Sequence, residues 1–217
     1  MAIMCELKPY YPAFLDLNGK KCLVIGGGEV ALRKIKTLLE CEAKVTVISP
    51  VFQPDLSRLA KSRTVLLIRR SYRSGDLEGS AIVISATDDA KTNKRVSEEA
   101  KEKGVLVNVV DDPKRSDFIV PAIVRRGGLT IAVSTSGMSP ALARKIRIKL
   151  EKEFGEEYAS LVTLIEEVRS TLKRKGVKAN AETWQEALDL DLLTELIRTG
   201  QKKKAKVVLL EALIRNR

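Results

Sequence analysis

Residues 20–40, KKCLVIGGGEVALRKIKTLLE, constrain the fold more than any other stretch. A short apolar run stops at three consecutive glycines, and a charged segment with apolar residues at Val30, Ile35, Leu38 and Leu39 follows at once. That spacing predicts a buried strand, a bare turn and an amphipathic helix. The pattern Gly26-x-Gly28-x-x-Ala31 fits the dinucleotide-binding spacing G-x-G-x-x-G/A. Gly26 allows the tight turn, Gly28 lets a pyrophosphate approach the backbone, and Ala31 lets the helix pack closely on the strand. The helix start then offers N–H groups and a positive dipole end to phosphates. A tight strand-to-helix turn needs glycine even without a ligand, so the weight of the match comes from its strand–helix–strand context.

That context continues. Residues 44–48, 65–68, 81–85 and 105–110 read as further strands, and residues 55–61 and 91–103 as helices. Strands alternating with helices predict a parallel sheet covered on both faces. After Pro113 the pattern changes. Residues 118–125 and 129–134, joined by RRGG, predict an antiparallel hairpin. Ser139-Pro140 then opens a long helix with Leu142, Ile146 and Leu150 as its apolar stripe. Residues 154–217 read as helical and charged, with breaks near Gly176, Asn180 and Gly200, and with the lysine run 201–206 on an exposed face. Trp184 is expected to pack within this region. The fold class is α/β, with boundaries expected at 1–113, 114–153 and 154–217.

Composition removes several chemistries. The chain has no histidine, which excludes His-based triads, His general bases and most zinc sites, and no metal site is expected. The three cysteines, Cys5, Cys22 and Cys41, form no CxxC pair and read as reduced structural thiols of a cytoplasmic protein. No apolar run is long enough to span a membrane, and the first residues lack the pattern of a signal peptide. The net charge of +11 points to an anionic partner or a solvated surface. Nucleic acid would rest on that charge alone, since no helix-turn-helix, RNA-binding or zinc motif is present.

Three further stretches accompany the glycine turn: SATDDAKTNKRV from Ser85, NVVDDPKRSDFIVPAIVRRGGLTIAVSTSGMSPALARKIR from Asn108, and the opening YYPAFLDLNGKK. Together these motifs resemble the dehydrogenase/ferrochelatase module of siroheme synthase, which stand-alone precorrin-2 dehydrogenases share. The resemblance is specific over residues 11–154 and is one of architecture beyond them. It implies an N-terminal Rossmann parallel sheet, a β-hairpin/helix dimerisation region and a C-terminal helical region. It also implies NAD-dependent oxidation of precorrin-2 to sirohydrochlorin, with Fe2+ insertion in some members. The substrate would be an anionic tetrapyrrole and the assembly a homodimer, with no nucleic acid and no membrane as partners.

Residue by residue, the resemblance places Gly28, Glu29 and Val30 beside the cofactor pyrophosphate. Ser49, Pro50 and Val51 fall near the adenosine ribose, and Ala86, Thr87 and Asp88 at the carboxyl edge of the sheet. Asp111 takes the family's acid/base position. Ser134, Thr135, Ser136 and Gly137 match a Ser/Gly-rich loop for the substrate, with Asn108 and Arg144 as further substrate contacts. Thr135 stands where the family carries a phosphorylatable serine. The strand ending at Ser49 lacks the usual acidic residue for the ribose, and no arginine immediately follows it, which favours NAD over NADP. Competing structural readings stand beside these: Asp111 or Asp112 as a turn residue before Pro113, and Thr87-Asp88-Asp89 as a helix cap. The alternative function is a regulatory Rossmann module that senses NAD(H) without catalysis.

Overall fold

The computed structural model describes residues 9–61 and 65–215. Between Val120 and Pro121 the chain divides into two compact units.

The first unit holds five strands: β1 (Lys21–Ile25), β2 (Lys44–Ser49), β3 (Val65–Arg69), β4 (Ile82–Ser85) and β5 (Leu106–Val109). All pair in parallel, in the order β3-β2-β1-β4-β5. The strands are continuous apolar runs because both faces are covered. On one face Val24, Val45 and Val47 pack with Ile35 and Leu38 of α1 (Glu29–Glu40) and Leu56 of α2 (Pro54–Lys61). On the other, Leu23, Ile25, Val83 and Val107 pack with Val96 and Ala100 of α3 (Ala90–Lys103). Cys22 is fully buried in this sheet, and burial pushes its thiol pKa up, as suits an inert structural thiol. Cys41 is half-buried, and Cys5 lies outside the described residues.

In the second unit the hairpin pairs β6 (Ala122–Arg126) with β7 (Leu129–Val133) in antiparallel register. The sequence places the first of these strands from Phe118, but pairing begins only at Ala122. Pro121 has no N–H to give to the ladder. Ser139 caps α4 (Pro140–Glu153), its side chain accepting from the Leu142 N–H. Leu142 and Ile146, two of the three residues of the expected apolar stripe, stay exposed at 50% and 38%. Helices α5 (Glu157–Arg174), α6 (Ala181–Ala187), α7 (Leu190–Arg198) and α8 (Lys202–Arg215) bury Leu164, Val168, Leu193, Leu196, Leu209 and Leu213 against one another. The breaks at Gly176, Asn180 and Gly200 fall where the sequence puts them. A further break at Leu188-Asp189 does not show in the sequence pattern; there Asp189 caps α7 by accepting from the Leu192 N–H. Trp184 packs against this helical core, with the Arg169 guanidinium over its ring at 5.4 Å. Of the lysine run, Lys206 reaches Glu167 of α5 at 2.6 Å while Lys202 to Lys204 are exposed.

The segment leading from β3 to β4 is fastened to α3 by a buried carboxylate. Glu99 accepts hydrogen bonds from the Tyr72 hydroxyl and from the Gly75 N–H. Burial alone would raise its pKa, but the bonds from Tyr72, Gly75 and Ser74 outweigh it and hold the carboxyl below its ordinary value of 4.5. A depressed carboxyl stabilises the fold above its unfolded pKa and loses that contribution as pH falls through the folded value. Tyr72→Phe is therefore expected to cost about 1.5–3 kcal/mol at neutral pH. The cost should shrink once the pH is well below 4.5. Urea unfolding of both proteins at neutral and acid pH measures it; an equal cost at both would remove the charged bond as its source.

Candidate cofactor and active site

Strand order reverses across β1 and β4, and an open parallel sheet binds its ligand outside the carboxyl ends at such a point. The turns after these strands lie side by side. The Ala86 N–H donates to Ile25 O at 2.7 Å, the Gly26 N–H to Ile48 O at 2.9 Å, and the Val110 N–H to Ser85 O at 2.9 Å.

The three glycines have different reasons to be glycine. Gly26 has φ +118°, and a Cβ there would stand 2.1 Å from Ala86 O. A Cβ on Gly27 would stand 2.0 Å from Val51 O. The Gln53 N–H donates to Gly27 O at 2.9 Å, which ties the segment after β2 to the turn. Gly28 is extended, with φ −87°, and a Cβ on it would meet no protein atom within 4 Å. The protein's own packing thus demands the first two glycines and leaves open space at the third. Gly28 is also the N-cap of α1 and brings no side chain to its first-turn N–H groups. That opening suits a pyrophosphate, with Glu29 and Val30 in the first turn beside it.

At the end of β2, Ser49 is buried, and its hydroxyl donates to Val51 O at 2.7 Å to form the Ser49-Pro50-Val51 turn. No acidic residue follows Ser49 in the chain before Asp55. Arg69 closes β3 in register with Ser49, and its guanidinium lies 5.3 Å over the Phe52 ring. The side-chain nitrogen of Gln53 is buried without a hydrogen-bond partner among the described residues.

Beyond β4, Asp89 caps α3, accepting from the Lys91 N–H at 3.0 Å and from the Thr92 hydroxyl at 2.6 Å. These bonds, with Thr92 the largest influence, hold its carboxyl pKa down. Thr87 is tied in by accepting from the Asp89 N–H at its hydroxyl and from Asn93 Nδ2 at its carbonyl. The Asp88 carboxylate takes no part in the cap and is exposed. Beyond β5 the same division recurs. Asp112 caps the 3-10 turn Pro113–Arg115, accepting from the Arg115 N–H at 3.2 Å and from its guanidinium. Asp111 is exposed and makes none of these turn contacts. Its φ of +59° is the left-handed region, unusual for a residue with a side chain and more frequent for Asp than for most. Lys34 of α1 lies within its electrostatic reach: burial, then Arg33, lower the lysine pKa, and Asp111 opposes them. Asn108 is buried in β5 and its amide donates to Phe118 O at 2.9 Å.

In the second unit, residues 134–139 form the loop between β7 and α4. Ser134 Oγ accepts from the Ser136 N–H and Thr135 Oγ1 from the Ser139 N–H, both at 3.0 Å. Ser136 and Gly137 have φ +53° and +83°. Arg144 is exposed on α4.

Sequence reasoning missed Gly27, Lys34, Phe52, Gln53 and Arg69. The glycine triplet signalled the first. Phe52 and Gln53 lie in the loop directly after Val51, while helix facing and strand register place Lys34 and Arg69; none of the four carries a linear signal.

A reversed parallel sheet with a bare helix start defines the class, a dinucleotide-binding Rossmann domain. Residues 13–122 match the family model described as NAD(P)-binding, and residues 126–153 match that of the sirohaem biosynthesis protein central region. The chain belongs to this family, that of the NAD(P)-binding module of siroheme synthases and precorrin-2 dehydrogenases. A siroheme synthase of Vesicomyosocius okutanii is 37% identical over 91% of this chain and 42% of its own length. Siroheme synthase 2 of Aeromonas hydrophila is 39% identical over 87% of this chain and 40% of its own. The chain thus spans about two-fifths of these relatives. The solved structure of SirC, precorrin-2 dehydrogenase, superposes with a TM-score of 0.71 at 27% identity, covering 95% of this chain and 100% of that one.

The glycines separate packing from binding. Gly27→Ala is expected to destabilise the fold by about 1–3 kcal/mol, because backbone must move. Gly28→Ala should leave thermal unfolding near wild type yet weaken NAD binding by about tenfold or more. Calorimetric unfolding and titration of both variants test this; unweakened binding by Gly28→Ala would remove the pyrophosphate from that opening.

Proposed function

We propose that this chain is an NAD-dependent precorrin-2 dehydrogenase, oxidising precorrin-2 to sirohydrochlorin in siroheme biosynthesis. The observation that carries the reading is the Asp111 carboxylate, outside every turn contact, on the same sheet edge as the opening at Gly28. The names of the siroheme synthases and of SirC support the substrate. Gly26, Gly28, Glu29, Val30, Ser49, Pro50, Val51, Ala86, Thr87 and Asp88 would hold the dinucleotide. Bound NAD supplies the acceptor for the hydride that leaves precorrin-2. Asp111 accepts the proton lost in the same oxidation. Asn108, Ser134, Thr135, Ser136, Gly137 and Arg144 are proposed contacts for the substrate, whose carboxylates also suit a chain of net charge +11.

The proposed assembly is a cytoplasmic homodimer, with residues 114–153 as the dimerisation region between a cofactor domain (1–113) and a helical domain (154–217). The exposed Leu142 and Ile146 of α4 support a partner copy there. Among the described residues, no helix is long and apolar enough to cross a membrane. Sedimentation at dilute concentration should give a dimer, and Ile146→Glu a monomer; a monomeric wild type would refute the assembly.

An anaerobic assay with precorrin-2 and NAD+ tests the reaction by following NADH and sirohydrochlorin together, with Fe2+ added after oxidation to assay insertion. Asp111→Ala is expected to lower kcat by about a hundredfold or more while NAD binding persists. Unchanged turnover would leave Asp111 a turn residue. Bound NAD with no NADH formed by wild type would favour the sensing module.

A further inference from the structure

The adenosine corner of the site is built without the feature that makes a dinucleotide fold reject a 2′-phosphate. An acidic residue at the end of β2 both binds the ribose hydroxyls and repels a phosphate there. Here that place belongs to Ser49, whose hydroxyl proton is donated to Val51 O at 2.7 Å. The only acidic residue between Ser49 and Arg69 is Asp55, and it is paired with Arg58 at 2.8 Å.

A cation stands beside the vacancy. Arg69 is the register partner of Ser49 across the β2–β3 ladder. In-register residues of a parallel pair project to the same face. Both therefore lie on the face of Phe52 and the glycine turn, and the Arg69 guanidinium lies over the Phe52 ring, 5.3 Å from its centre. The next residue, Arg70, is committed to Asp76 through two bonds of 2.7 and 2.6 Å. The Arg69 side chain has no hydrogen bond or ion pair among the described residues. The contact with Phe52 takes up none of the guanidinium N–H donors, which phosphate recognition requires.

We propose that Arg69 is a specificity-determining residue that receives the 2′-phosphate of NADP, so that the site takes NADP as well as NAD. This inference rests on the dinucleotide site described above. It adds NADP to the NAD that the linear sequence favours, because the arginine closes β3 and does not follow β2.

Titration of the full chain with NAD+ and with NADP+, for wild type, Arg69→Ala and Arg69→Glu, tests it. Wild type is expected to bind the two within about tenfold of each other. Arg69→Ala should weaken NADP+ by about tenfold or more while NAD+ changes by less than about threefold. Arg69→Glu should abolish NADP+ binding and retain NAD+, which also reports that the variant is folded. Wild type that binds NAD+ but rejects NADP+ by more than about a hundredfold would overturn the inference alone. Equal weakening of both dinucleotides by Arg69→Ala would overturn it too, since Arg69 would then touch a part that they share. A chain that binds neither would overturn the dinucleotide site itself.

Discussion

The first unit depends on backbone approaching backbone at the end of β1. Gly26 lies against the Ala86 carbonyl and Gly27 against that of Val51, each too close for a Cβ. These contacts draw the ends of β2 and β4 in to the turn between them. The sheet edge becomes one continuous surface, and α1 points its N-terminus across it. A side chain at either glycine would push the end of β1 away from the segments that follow β2 and β4.

The site is assembled from neighbouring residues that divide structural and open roles. Gly27 is needed by packing, while Gly28 faces empty space. Asp89 caps α3, whereas Asp88 stays exposed. Asp112 caps the 3-10 turn, and Asp111 stands outside it. In each pair the committed residue holds backbone in place and so fixes where its neighbour is presented. Holding Asp111 in a left-handed conformation costs about 1 kcal/mol, which the adjacent cap and turn offset.

Much of this was legible in the sequence because it is local. The glycine spacing, the Ser139-Pro140 start and the apolar runs are short-range patterns, and the elements fall within a few residues of them. The doubt over Asp111 and Asp112 was not resolvable there, since both precede Pro113 and either side chain suits a cap. Only the hydrogen bonds to Arg115 separate them. The hairpin start was misplaced because apolar content does not reveal a missing ladder donor at Pro121. The break at Leu188-Asp189 was hidden because it contains neither glycine nor proline.

The sequence by itself determined a parallel sheet, a dinucleotide turn after its first strand and a hairpin with helices behind it. These follow from periodicity and small residues, which act over a few positions. The tertiary structure decided which glycine is open, which aspartate is uncommitted, and that Arg69 stands beside Ser49. The aspartate is decided by the hydrogen bonds that Arg115 makes to Asp112. The other two depend on parallel pairing across crossovers, which brings together residues 20 positions apart or more, and no linear spacing encodes that adjacency.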